Sequence, residues 1–453
     1  MIRLLIAAPA SGCGKTAAAC AMLRVLKERG HEPCAFKCGP DYIDPMFHRA
    51  VLGVESHNLD LFLSGPERVQ ALFARACRGH GAAVVEGAMG LYDGLGGVTA
   101  RASAWELADT LDLPVLLVLP ARASSLTLAA QLCGLRDFRT PSHIAGVLLN
   151  ECSPALCRTL APTLERETGL PVLGCLPRLE GARIESRHLG LMTAPEIDDL
   201  DARLELLARA FSENVDLPRL LALFDGTAPA AQESEPPQKR RCRIAVARDE
   251  AFCFAYAETL ETLEALGAEL VFFSPLRDTA LPEGVGGLYL PGGYPELYAQ
   301  RLSENAEMRR AVAEAVRGGL PTAAECGGYL YLCAALSDPS GERFPMAGVL
   351  PGEAADAGKS VRFGYAELSA EEDSLLFRAG ERFPVHEFHH WDTTENGDAF
   401  QLTKPLSGKT WRGGFAGPTL YAAFPHLYFA GRPVLAERFV CAAENYGAKH
   451  GIM

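Results

Sequence analysis

The sequence predicts an α/β fold in two domains, a doubly wound parallel sheet followed by a second α/β series. Three observations predict it. Short apolar runs alternate with helix-like stretches on both sides of one interruption, a glycine-rich turn ending in Gly-Lys-Thr joins the first run to the first helix, and the alternation lapses over Gly226–Arg241. At 453 residues there is room for two or three domains, each with a core of ordinary size. An apolar share of 48% against 22% charged residues rules out a disordered tail and a collagen-like fibre.

In the first half Arg3–Ala8, Pro33–Lys37, Ala82–Glu86, Pro114–Leu119, Ile144–Asn150 and Val172–Leu176 read as strands. They are apolar almost throughout, the pattern of parallel strands covered on both faces. Helical spacing lies between most of them, as in Thr16–Arg29 and Glu67–Arg78. Residues 226–241 read GTAPAAQESEPPQKRR, with no spacing that would bury a face, and are expected to link domains at residues 1–225 and 242–453. Beyond the linker the expected order is strand Arg243–Ala247, helix Ala255–Leu266, strands Glu269–Phe273 and Gly287–Leu290, helix Asn305–Arg317 and strand Pro321–Ala324.

Lys and Arg number 43 against 56 Asp and Glu, a net charge of −13 with no long basic block. Nucleic acid and anionic membranes are therefore not expected as partners, since both need a positive surface to gather phosphates. Apolar stretches such as Leu113–Ala121 fall well short of the ~20 residues that span a bilayer. Met1–Ala10 is read as a buried strand because Ser11-Gly12-Cys13-Gly14-Lys15-Thr16 follows it with no later cleavage-like site, so a cytoplasmic chain is expected. Fourteen cysteines are scattered with no Cys-x-x-Cys pair, which fits a reducing compartment and makes Cys34, Cys38, Cys152 and Cys157 simple thiols.

Ala8-Pro9-Ala10-Ser11-Gly12-Cys13-Gly14-Lys15-Thr16 is a variant P-loop, with Pro9 where the strict pattern has glycine. In such a loop the backbone N–H groups of Ser11 to Thr16 turn toward phosphate oxygens, Lys15 neutralises the outer phosphates and the Thr16 hydroxyl can ligate Mg²⁺. Two acidic motifs end strands of the same sheet, Lys37-Cys38-Gly39-Pro40-Asp41-Tyr42-Ile43-Asp44-Pro45 and Glu86-Gly87-Ala88-Met89-Gly90-Leu91-Tyr92-Asp93-Gly94. Ligands of α/β sheets gather at strand C-terminal ends, so Asp41 and Glu86 are candidate Mg²⁺ ligands and Lys37 a second phosphate cation. Taken singly, each acid is as suited to capping a turn as to holding metal.

Ala323-Ala324-Glu325-Cys326-Gly327-Gly328-Tyr329-Leu330 sets a cysteine on a sharp strand-to-helix turn, where a nucleophile is held clear of the sheet and a helix N-terminus lowers a thiol pKa. Cys326 is the candidate nucleophile. Upstream, Pro291-Gly292-Gly293-Tyr294 follows a strand, and Gly292 and Gly293 can offer N–H groups to a tetrahedral oxyanion. Downstream, His426 in Phe424-Pro425-His426-Leu427-Tyr428 suits a proton carrier, with His386, His389 and His390 as rivals.

Together the motifs ASGCGKT, KCGPDYIDP, EGAMGLYDG, RHLGL at 187–191, LPGGYPELY, ECGGYLYL, HEFHH and PHLYFAGRP resemble the cobyrinic acid a,c-diamide synthase family, over nearly the whole chain. The resemblance implies glutamine-dependent amidoligases of cobalamin biosynthesis, with an ATP-using N-terminal domain like dethiobiotin synthetase and a C-terminal class I type glutaminase domain. It implies phosphate and metal roles for Lys15 and Thr16, metal for Asp41 and Glu86, attack on glutamine by Cys326 and proton transfer by His426. Tyr428 stands where many class I glutaminases carry Glu, so a Cys-His dyad is expected.

On that likeness ATP would phosphorylate a substrate carboxylate, and ammonia from glutamine would displace the phosphate, at the c and a acetates of a cobyrinic acid-type tetrapyrrole. Arg178, Arg183, Arg187 and His188 form the densest cationic run of the first domain and are candidates to grip the substrate's carboxylates. Other macrocycles, hydrogenobyrinic acid or a nickel-sirohydrochlorin relative, would take the same chemistry, and a nucleotide-switch ATPase shares the loop but has no use for Cys326 and His426. Oligomeric state is open, a homodimer being one option.

Overall fold

The computed structural model describes residues 1–181, 194–230 and 239–452. The chain divides into two compact units, Met1–Ser234 and Glu235–Met453.

The first unit is built on strands β1 (Ile2–Ala7), β2 (Pro33–Cys38), β3 (Ser56–Leu59), β4 (Ala82–Glu86), β5 (Val115–Pro120), β6 (Ile144–Asn150) and β7 (Val172–Leu176). Among the described residues they lie in the order β3-β2-β4-β1-β5-β6-β7, every neighbouring pair parallel. The apolar strands are buried on both faces, as their composition requires: Leu4, Ile6, Val84, Leu116 and Val118 share one core with the helix Lys15–Glu28. That helix turns Ala18, Ala19, Met22, Leu23 and Leu26 inward, and its run of alanines lets it approach closely. Each Leu or Met so buried contributes roughly 1.5–3 kcal/mol.

Strand β3 has no counterpart in the sequence reading, because Ser56-His57-Asn58-Leu59 carries no apolar run. Its polar side chains are buried nonetheless, and Asn58 Nδ2 donates to the carbonyls of Gly39 and Asp41 at 2.9 and 2.7 Å. A polar strand is affordable here because it supports the loop after β2.

The second unit centres on β8 (Cys242–Ala247), β9 (Ala268–Phe273), β10 (Gly287–Leu290) and β11 (Thr322–Glu325), joined by the strands Leu420–Ala423 and Phe415–Gly417. Their order runs Phe415–Gly417, Leu420–Ala423, β11, β10, β8, β9, parallel except at the Phe415–Gly417 edge. Leu288 and Leu290 of β10, Ala324 of β11, and Met308 and Val312 of the helix Ala306–Arg317 lie in its core. Between β11 and Leu420 the described chain forms further short strands in two four-stranded sheets, one containing Arg382–His389. The sequence reading assigns no strands there.

Candidate active site

In the first unit the three motifs end the neighbouring strands β1, β4 and β2. Register sets Ile6 beside Glu86 and Lys37 beside Glu86, so one row of residues leads into all three loops. Gly14, at φ +94°, opens the helix Lys15–Glu28, and a Cβ there would stand 2.1 Å from Asn150 Nδ2, the group that donates to Cys13 O at 2.9 Å. Only glycine satisfies both the dihedral angle and the space. Lys15 Nζ donates to the carbonyls of Ala10 and Met89, curling back over the loop.

Glu86 is the hub. Thr16 Oγ1 donates to Glu86 Oε1 at 2.6 Å, and Lys37 Nζ lies 2.9 Å from the same oxygen and 2.5 Å from Asp44 Oδ2. His48 Nε2 stands 3.8 Å from Glu86 Oε2, a buried oxygen with no hydrogen-bond partner among the described residues. Burial pushes the Glu86 carboxyl up to about 7, with Asp44 adding to it, against Lys37 and the Thr16 hydroxyl. Burial opposes the charge of Lys37, yet Glu86 and Asp44 hold its ammonium well above the ordinary value. Lys15, by contrast, is lowered by burial and by Lys37.

Asp41, the candidate ligand, is differently engaged: its Oδ1 accepts the Ile43 N–H at 2.8 Å in the turn that precedes the helix Ile43–Ala50. Asp44, three residues on and in the first turn of that helix, is the acid that meets Lys37. The sequence reading quotes Asp44 within its motif and gives it no role, because which acid of a pair turns inward depends on the helix start. Of the cationic run, Arg178 is exposed, while Arg183, Arg187 and His188 lie outside the described residues.

In the second unit β10, β11 and the strand Leu420–Ala423 are parallel neighbours, and Gly292, Cys326 and His426 follow their C-terminal ends. Cys326 adopts φ +47°, ψ −104°, a conformation rare for a residue with a side chain, and its N–H donates to Ala423 O at 2.8 Å. A Cβ on Gly292 would lie 2.5 Å from His426 Cε1, and one on Gly327 would lie 2.9 Å from the Gly293 nitrogen. The two glycines, the cysteine turn and the histidine therefore crowd into one place.

Among the rival histidines, His386 pairs with His426 through the backbone, His426 N donating to His386 O at 2.8 Å. His389 stacks on Phe424 with ring centroids 3.7 Å apart, and His390 is exposed. Burial lowers His426 to about 4, so its imidazole is neutral and able to accept a proton. The expected acidified thiol is not what the structure holds: burial pushes Cys326 up, with Glu296 and Glu387 adding to it, against the Gly327 N–H. The following helix, Gly327–Leu332, is too short to outweigh that burial. The resting pair is a neutral thiol and a neutral imidazole. Glu325, to which the sequence reading gives no role, is also here, its Oε2 lying 3.5 Å from His426 Nδ1.

Comparison with known proteins agrees with this division. A family profile described as a CobQ/CobB/MinD/ParA nucleotide binding domain matches residues 4–191, and one described as a CobB/CobQ-like glutamine amidotransferase domain matches residues 243–434. A nucleotide-binding domain is thus fused to a glutamine amidotransferase domain. Cobyrinate a,c-diamide synthases of Caldanaerobacter subterraneus and Picrophilus torridus are each 37% identical to the chain, over 98% of it and 99% of the relative. The enzyme of that name from Clostridium acetobutylicum is 38% identical over 95% of the chain and 98% of its own length. The chain belongs to the cobyrinate a,c-diamide synthase family.

Proposed function

We propose that the chain amidates the a and c acetate carboxylates of cobyrinic acid, using ATP to activate each acid and glutamine as the nitrogen source. The observation that carries this reading is the convergence of Gly292, Cys326 and His426 at three adjacent strand ends, in a chain that also holds the Lys15–Thr16–Glu86–Lys37 constellation.

A carboxylate repels nucleophiles and has no leaving group. In the first unit the γ-phosphoryl of ATP passes to a substrate carboxylate oxygen, making an acyl phosphate and ADP. The N–H groups of Ser11, Gly12, Cys13 and Gly14 cradle the phosphates, and Lys15, with Lys37 behind it, counters their charge. The donor set fits a magnesium ion: Glu86 Oε2 is buried without a hydrogen-bond partner among the described residues, and the Thr16 hydroxyl bonds the other oxygen of the same carboxyl. Glu86, Thr16 and Asp41 would hold Mg²⁺, which when bound supplies positive charge to the phosphates.

In the second unit Cys326 Sγ adds to the glutamine carboxamide carbon as its proton passes to His426, and the N–H groups of Gly292 and Gly293 receive the oxyanion. The proton leaves with ammonia, and water hydrolyses the thioester to glutamate. Ammonia then displaces phosphate from the acyl phosphate to give the amide. Glutamate release from glutamine, measured for the wild-type chain and Cys326→Ala, tests the assignment: the variant is expected to release none. Release at the wild-type rate would remove Cys326 from the chemistry.

A further inference from the structure

Glu325 closes β11 next to the nucleophile and is fully buried. A carboxyl taken out of water is costly unless it is hydrogen-bonded, and this one is held on both oxygens. The Leu427 amide donates to Oε1 at 3.3 Å and the Tyr289 hydroxyl donates to Oε2 at 3.3 Å. Oε2 also lies 3.5 Å from His426 Nδ1. Leu427 is the residue after His426, so one carboxyl engages both the imidazole and the backbone that carries it.

Tyr428, at the position where the sequence comparison would place an acid, packs edge-on against Tyr256 with ring centroids 4.9 Å apart. The alternative, that Glu325 merely ties β11 to the chain after Leu420–Ala423, explains the Leu427 bond but not the approach of Oε2 to Nδ1.

We propose that Glu325 is the positioning residue of the glutaminase centre: its Oε2, 3.5 Å from His426 Nδ1, orients the imidazole so that Nε2 takes the Cys326 proton, and its carboxyl faces the charge that the imidazole then gains. The inference rests on Cys326 and His426 acting as nucleophile and base. In the step, Sγ loses its proton to Nε2 and bonds to the carboxamide carbon, and that proton departs with ammonia. The third member of the arrangement thus comes from the residue before the cysteine rather than from beyond the histidine. Burial pushes the Glu325 carboxyl up to about 8, against the two donors from Leu427 and Tyr289.

The test is full-length Glu325→Gln, which keeps the volume and a carbonyl for Leu427. Its kcat for glutamine hydrolysis is expected to fall about 10- to 100-fold, with KM for glutamine and amidation driven by ammonium chloride both within about twofold of wild type. A kcat within about twofold of wild type overturns the proposal, as does a fall matched by equal loss of the ammonia-driven reaction. Should Glu325→Gln fail to fold, Tyr289→Phe decides: a lower kcat at unchanged KM supports the proposal, and an unchanged kcat overturns it. Glutamine hydrolysis that survives in Cys326→Ala would instead defeat the underlying assignment.

Discussion

The Thr16 hydroxyl donates to Glu86 Oε1 at 2.6 Å, tying the end of the phosphate loop to the end of β4, 70 residues away in sequence. Lys37 reaches the same oxygen from β2. Two side chains, one from the start of the helix after β1 and one from β2, thus meet a single buried oxygen at the end of β4.

Lys37 is the cation between two buried acids. Replacing it with methionine keeps most of its bulk but leaves Glu86 and Asp44 facing each other unpaired, which costs about 3–5 kcal/mol. Calorimetry of Lys37→Met should show a transition moved to lower temperature, and ammonia-driven amidation should be lost. An unchanged melting profile would contradict the pairing.

Gly292→Ala puts a methyl group where His426 Cε1 already stands, 2.5 Å away. The imidazole must move, and misplacement of that order costs about 100-fold in rate. Glutamine hydrolysis should fall by that factor while ammonia-driven amidation persists. Unaltered hydrolysis would mean that His426 is not held where its proton is needed.

The loop regions show what the sequence could and could not carry. Gly14, Lys15, Thr16 and Cys326 are legible because backbone geometry and chemistry leave few other residues able to serve, and each strand that is apolar throughout declares itself. Strand β3 is not legible, since Ser56, His57 and Asn58 are buried by hydrogen bonding rather than by hydrophobicity. The same holds for Glu325: in sequence it is one acid beside a cysteine, and its contacts with Leu427 and His426 span about a hundred residues that only the packed sheet brings together. The raised thiol of Cys326 is hidden from the sequence for a related reason, because burial is not a local property of a strand-to-helix turn.

Cys326 is held at φ +47°, a backbone state that costs a residue with a side chain about 1–3 kcal/mol and glycine far less. Both Cys326→Gly and Cys326→Ala remove the nucleophile. In thermal denaturation the glycine variant should melt no lower than the alanine variant, despite its missing methyl group. A markedly lower melting temperature for glycine would show that the turn is unstrained.

His389 donates Nδ1–H to Trp391 O at 2.6 Å and is lowered by burial to about 4, from an ordinary 6.5. The folded state therefore binds its proton less readily than the unfolded state. The stability it contributes is present above pH 6.5 and is lost as the pH falls through 4, by up to about 3 kcal/mol. His389→Asn, which keeps a donor but has no proton to gain, should be less stable than wild type at pH 7.5 because the stacking on Phe424 is gone, and that gap should narrow as the pH drops, as judged by urea midpoints with roughly the size just given. A gap independent of pH would mean that the imidazole is not buried in its neutral form.

The most direct measurement of the whole account follows nitrogen. The chain is incubated with cobyrinic acid, ATP, Mg²⁺ and glutamine labelled with ¹⁵N at the side-chain amide, and the corrinoid is weighed by mass spectrometry. The account predicts label entering the product in two successive steps, none in Cys326→Ala unless ammonium chloride is supplied. ATP consumption with no ¹⁵N reaching the corrinoid would contradict it.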